Sequence, residues 1–387
     1  MTLDLAERGL VGPDPGGCSL GEVLPAAAGV LGLDLPGGWA GSAARARSRF
    51  DLPQADRVCV VLVDGLGLLQ LRERAGHAAF LRGRLPEARE LVCGYPSTTA
   101  ASMGLLGTGR AAGRTGLVGY TVRNPRTGRL ANLVSWDGAD EPEAWQREPN
   151  LTRLVAEQDV AVTSVGPPEF RGSGLTRAAL GGGRYISAVA WEDRVDGALR
   201  ALREPGLVYL YCGDVDKAGH QHGWRSAQWG DALSELDRGL GRLARGMPAG
   251  TVLLVTADHG QVEIDPADLV DVGSVPELAR DVELVAGEPR AAAVHVASGA
   301  DPAGVATRWR EVLGDRALVV TRAEAIDLGW YGDVAAHVEP MLGDLVVAAL
   351  GRAGVADSRT QTPHSLTLRG MHGSLTPDEM RVPLLVA

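Results

Sequence analysis

Residues 57–65 read RVCVVLVDG. The apolar residues Val58–Val63 run without alternation, so the strand they predict, Arg57–Val63, is buried on both faces as in a parallel sheet. The run stops abruptly at Asp64-Gly65. Two further stretches have the same build. GLVYLYC at 206–212 ends in Gly213-Asp214, and TVLLVT at 251–256 leads into Asp258-His259-Gly260. A shorter strand is expected at Val160–Val165. Between the second and third runs, Ser226–Leu243 carries Leu233, Leu236, Leu240 and Leu243 at helical spacing. Strand, helix, strand alternation predicts an α/β fold: a doubly wound, mostly parallel sheet flanked by helices.

Outward from this centre the pattern changes. Ser19 and Glu22 read as a capping box opening an N-terminal helix. From Glu277 to Gly332 the chain predicts strands at Val282–Val285, Ala291–Val296 and Ala317–Val320, with helices at Pro302–Leu313 and Arg322–Leu328. The expected organisation is a catalytic core of residues 1–276 and 333–387 with a small α+β insertion at 277–332. An apolar strand, Asp344–Ala349, is expected to return the chain to the core, which Met380–Ala387 completes.

The chain has 387 residues and a net charge of −10. That balance argues against binding to a nucleic acid duplex or to an anionic membrane. Lys and Arg together number 38, and Lys217 is the single lysine. The four cysteines, Cys18, Cys59, Cys93 and Cys212, form no CxxC pair and no disulfide framework. The apolar stretch Leu24–Leu33 is too short to span a bilayer and follows Glu22. The expectation is a cytoplasmic protein; oligomeric state is not readable.

Acidic and histidine residues gather where the predicted strands end: Asp64, then Asp214, Asp216, His220 and His222, then Asp258 and His259. Ligands of open parallel sheets bind at that edge. His372, in Gly370-Met371-His372-Gly373, adds a fourth segment. Asp and His suit Zn²⁺, and Asp216 and His220 lie four apart on one helical turn. Six such side chains make two sites of three ligands with open positions, a recurrent arrangement for displacement at phosphorus. A hydroxyl is offered by Pro96-Ser97-Thr98-Thr99-Ala100, where Thr98 or Thr99 opens a helix whose N-terminus favours an anion. Alone, Asp64-Gly65 reads as a turn, the threonine pair as a cap and His372 as a loop or core histidine, while Thr256–Gly260 fits a turn and a site equally; together they point to one bimetal centre. His222, His295, His337 and His364 are left outside it.

VLVDG (61–65), STTAASMGLLGTG (97–109), DVDKAGHQHG (214–223), TADHG (256–260) and HGSLTP (372–377) occur in that order. In this the chain resembles the alkaline phosphatase superfamily, and within it the type I phosphodiesterase/nucleotide pyrophosphatase family, over roughly residues 57–387. The resemblance implies two divalent metal ions, with Zn²⁺ the best match to the donors and Mn²⁺ compatible. Asp64, Asp258 and His259 would hold one, and Asp216, His220 and His372 the other. It places the nucleophile nine residues before Thr108-Gly109, at Thr99, with Thr98 as the alternative.

The chain departs from the family at three places. An Asn that usually follows the nucleophile helix is matched by Tyr120 of Gly119-Tyr120, whose hydroxyl could bind a phosphate oxygen. No Arg stands where phosphomonoesterases place theirs. Cys93-Gly94-Tyr95-Pro96 is not a sulfatase motif. Lys217, inside the DxxGH motif, is a second candidate for contact with substrate phosphate. The implied activity is metal-dependent hydrolysis of a small-molecule phosphodiester or of a pyrophosphate bond in a nucleotide, through a phosphothreonine. A phosphomonoesterase or phosphonate hydrolase on the same site is the alternative, and a silent metal- or nucleotide-binding protein the reading from another class.

Overall fold

Three of the seven strands in the central sheet lie side by side at its middle. Arg57–Val63 is flanked by Gly206–Cys212 on one side and Thr251–Ala257 on the other, both parallel to it. These are the apolar runs predicted from the sequence, and almost every residue in them is buried. In the computed structural model, which describes residues 4–13 and 18–387, the strand order is 89–92, 381–386, 251–257, 57–63, 206–212, 161–166 and 184–187. Only Arg381–Val386 runs against the others. The sheet is therefore mixed but mostly parallel, with helices on its faces, as expected.

The helices follow their local signals. The long helix spans Ala227–Gly246, and Ser226 caps it by accepting the Trp229 N–H. Its Leu233, Leu236, Leu240 and Leu243 are buried. At the N-terminus, Ser19 accepts the Gly21 N–H, and a 3₁₀ turn leads into the helix Val23–Val30. Among the described residues, no helix is long and apolar enough to cross a membrane.

A second sheet holds Val282–Glu288, Ala291–Val296, Leu345–Ala349 and Ala317–Thr321 in that order, all antiparallel. The helix Pro302–Leu313 covers it and buries Trp309 completely. One expectation needs correction. The strand at 345–349 does not return the chain to the central sheet; it fills the slot between Ala291–Val296 and Ala317–Thr321, with Leu345 opposite Val294 and Thr321. Its residues are all buried, and an unbroken apolar strand suits an interior place in either sheet. The return is made instead by Arg381–Val386, which inserts between Thr251–Ala257 and the short strand Arg89–Val92.

The two sheets are tied by Arg290, in the turn between the first two strands of the smaller sheet. Its guanidinium donates to both oxygens of Glu379, at 3.1 and 2.8 Å, and both side chains are fully buried.

Candidate bimetal active site

Because the three middle strands are parallel and in register, their carboxyl ends open at one edge. Asp64 leaves Arg57–Val63, Asp258 and His259 leave Thr251–Ala257, and the helix Asp214–His222 begins just after Gly206–Cys212. The turn at Gly65 has φ +70°, and a Cβ there would lie 2.8 Å from Asp216 Oδ1. Glycine is required by both the angle and the contact.

Two clusters of three potential ligands result. Asp64, Asp258 and His259 form one, and Asp216, His220 and His372 the other; within each, one donor atom per residue lies within 4.8 Å of the rest. The His259 and His372 rings stack at 3.6 Å between centroids, so the clusters adjoin.

The hydrogen bonds leave the right atoms free. His259 Nδ1 faces Gly260 O at 3.1 Å, His220 Nδ1 faces Gly370 O at 2.6 Å, and His372 Nδ1 faces Ser97 O at 2.9 Å. A carbonyl accepts only from a protonated nitrogen, so each ring carries a hydrogen on Nδ1 and turns Nε2 toward the cluster. Asp64 Oδ2 accepts the Tyr211 hydroxyl at 2.5 Å. Asp258 Oδ1 accepts the N–H groups of Gly65 and His259 at 3.1 and 3.0 Å. Asp64 Oδ1 and Asp258 Oδ2 are buried without any partner. They lie 3.5 and 3.4 Å from His259 Nε2. Two orphaned carboxylate oxygens converging on one imidazole nitrogen fit a divalent cation.

The electrostatics agree. Burial, and then the charges of Asp258 and Asp216, push the Asp64 carboxyl well above the usual range. Burial also raises Asp258. Burial opposes ionisation of Asp216, but His220 beside it holds its carboxyl low. At His220 burial works against protonation, yet Asp216 lifts the ring to about 9. Burial, and then His259, keep the His372 ring well below its ordinary value. Three carboxylates crowded out of water leave a deficit of positive charge.

Thr99 is the first residue of the helix Thr99–Thr108, and its Oγ1 lies 3.2 Å from His259 Nε2. Thr98 is the N-cap, its side chain makes no capping bond, and it is buried. Both line a cavity of about 470 Å³ with Asp64, Asp216, His220 and His372.

Tyr120 is half-exposed on the wall of this cavity, and its N–H donates to Glu288 Oε2 at 2.8 Å. Lys217 is not brought there: it is exposed, one residue on from Asp216 and so turned to another side of the helix. Asp214 turns away as well and accepts from Arg194 at 3.1 Å.

Three residues were missed in the sequence. Tyr211 lies inside an apolar run and read as core. Gln261, which donates to Asp216 Oδ1 and to Asp216 O, directly follows Asp258-His259-Gly260, and that adjacency was the available signal. Gly219 gives it room, since a Cβ there would sit 1.7 Å from Gln261 Oε1. Glu288 ends a strand of the smaller sheet and is 7% exposed. Burial pushes its carboxyl up to about 8.

Over 127 residues the chain is 28% identical to human ectonucleotide pyrophosphatase/phosphodiesterase family member 7, a stretch covering 30% of this chain and 28% of the human protein. The mouse protein of that name is 27% identical over 165 residues, 39% of this chain and 36% of the relative. The chain thus aligns with 28% and 36% of these relatives' length. Among solved structures, murine ectonucleotide pyrophosphatase/phosphodiesterase 5 superposes with a TM-score of 0.68 at 18% identity, covering 85% of this chain and 87% of the other. Phosphonoacetate hydrolase from Sinorhizobium meliloti gives 0.66 at 17% identity, covering 86% and 90%. These structures share the alkaline-phosphatase-like fold seen here. Residues 58–375 match the Type I phosphodiesterase / nucleotide pyrophosphatase family, and the chain belongs to that family.

Proposed function

We propose that the protein is a metal-dependent hydrolase of phosphodiester or pyrophosphate bonds, with Thr99 as nucleophile. The observation that carries this reading is the convergence of Thr99 Oγ1, Asp64 Oδ1 and Asp258 Oδ2 on His259 Nε2, all within 3.5 Å. Divalent ions, with Zn²⁺ the best match to the donors, would be held by Asp64, Asp258 and His259 and by Asp216, His220 and His372; they would lower the pKa of the Thr99 hydroxyl and offset phosphoryl charge.

The chain's own residues supply the rest. Thr99 Oγ1 attacks phosphorus, a phosphothreonine forms, and the bond to the leaving alcohol breaks. Water then cleaves the Thr99–phosphorus bond, restoring the hydroxyl with retention at phosphorus overall. The unpaired N–H groups in the first turn of Thr99–Thr108 face the developing charge on the phosphoryl oxygens. Tyr120 contributes a hydroxyl at the cavity wall.

The test is turnover of bis-p-nitrophenyl phosphate by the zinc-loaded protein. Wild type should prefer it to p-nitrophenyl phosphate. Thr99→Ala should keep its metal content and lose at least about a thousandfold in kcat. Undiminished turnover in that variant would sink the assignment.

A further inference from the structure

The wall of the active-site cavity has an unusual charge. None of the chain's 38 Lys and Arg residues lines it. The carboxyl groups on it are those of Asp64, Asp216 and Glu288. Much of the remaining wall is apolar, including Leu130, Val134, Val165, Phe170, Leu175 and Leu180. The polar groups among them are mostly neutral hydroxyls, such as Thr121, Ser164 and Thr176.

A substrate with two linked phosphates brings at least one anionic charge beyond the phosphoryl group under attack. Inside a cavity that charge loses water and must find a cation or a set of donors. The two candidate metal positions serve the reacting phosphorus. Beyond them this wall offers no permanent positive charge, and its polar groups there are mostly neutral hydroxyls. A neutral hydrocarbon group meets no such penalty and covers the apolar side chains.

We propose that the substrate is a phosphodiester with a single phosphorus and a neutral alkyl or aryl substituent seated in this cavity, and that pyrophosphate-linked nucleotides are rejected. The proposal rests on the hydrolase reading above and narrows it.

The experiment compares kcat/KM of the zinc-loaded full chain for p-nitrophenyl ethyl, octyl and phenyl phosphates and for ATP. The octyl or phenyl ester should exceed the ethyl ester by at least about tenfold, since each buried methylene contributes up to roughly fourfold. ATP cleavage should fall at least about a hundredfold below the better ester. The octyl-to-phenyl ratio separates an alkyl from an aryl substituent. Val134→Arg or Leu130→Arg, both at partly buried wall positions, should erase the chain-length preference and raise the ratio of ATP to octyl-ester cleavage. Turnover of the ethyl ester with no dependence on chain length, or ATP cleaved as well as the octyl ester, would overturn this proposal alone. No turnover of any ester would overturn the hydrolase reading and this proposal with it.

Discussion

Tyr211 and Asp64 sit at the ends of adjacent parallel strands, and the tyrosine hydroxyl donates to Asp64 Oδ2 at 2.5 Å. The bond occupies one carboxylate oxygen and fixes the other, Oδ1, toward His259. Tyr211→Phe removes the orienting bond without touching a ligand atom. It should weaken zinc binding by about ten- to a hundredfold, read by competition with a chromophoric chelator. Activity should recover in excess zinc. Unchanged affinity would show that Asp64 needs no such support.

Metal removal should lower stability, because Asp64 and Asp258 each keep an unpartnered buried oxygen. Zinc at about a thousand times its dissociation constant contributes about 4 kcal/mol. Asp64→Asn should behave oppositely in the two states. It removes one of several crowded buried carboxylates, so the metal-free variant should melt above the metal-free wild type. Its zinc-induced rise in Tm should be smaller. Calorimetry with and without chelator checks both signs.

Gly65→Ala is expected to damage the second cluster from the first cluster's turn. Its Cβ would lie 2.8 Å from Asp216 Oδ1, in a backbone region that disfavours side chains. Elemental analysis should find fewer than two zinc ions per chain, with kcat reduced at least about tenfold. Two zinc ions and full activity would mean that Asp216 can shift freely.

Arg290 and Glu379 form a fully buried pair, and Glu379 also accepts from Ser374 N at 3.0 Å and Thr376 Oγ1 at 2.5 Å. Arg290→Met leaves that carboxylate without its cation and should cost about 3–5 kcal/mol in urea unfolding. The double change Arg290→Met, Glu379→Leu should cost less than Arg290→Met alone. Because the bonded loop follows His372, the single change should also weaken binding at the second cluster.

His295, in the smaller sheet, is held near 4 mainly by burial. Its unfolded value is near 6.5, so between these values the unfolded chain binds the proton and the folded chain does not. Stability is therefore fully present above about pH 6.5 and falls as pH drops toward 4, by on the order of 3 kcal/mol. His295→Leu should flatten that slope in unfolding free energies taken at pH 7 and pH 4.5. An equal slope in both proteins would place the acid sensitivity elsewhere.

The middle of the sheet and the two ligand clusters were legible because of one contrast. Asp64, Asp216 and Asp258 follow unbroken apolar runs, and a charge at the end of a buried strand has few places to go. The supporting groups were hidden by the same logic. Tyr211 reads as one more apolar residue of its strand, and only its hydroxyl, placed by register against Asp64, reveals its part. Glu288 depends on how two sheets meet, which no local pattern encodes. Lys217 shows the converse: its sequence position beside Asp216 drew attention, but a helix turns consecutive residues to different sides. The strand at 345–349 lies in the smaller sheet and not the central one; a buried strand's composition does not name its partners.

The placement of Arg381–Val386 bears on the order of events during synthesis. This strand is the link between Arg89–Val92 and the rest of the central sheet. A nascent chain still lacking it can zip together the middle strands, yet Thr251–Ala257 then has an open flank and Arg89–Val92 has no ladder. His372 emerges only shortly before. A chain stalled or clipped before Gly370 would therefore present an adhesive sheet edge and an incomplete ligand set together.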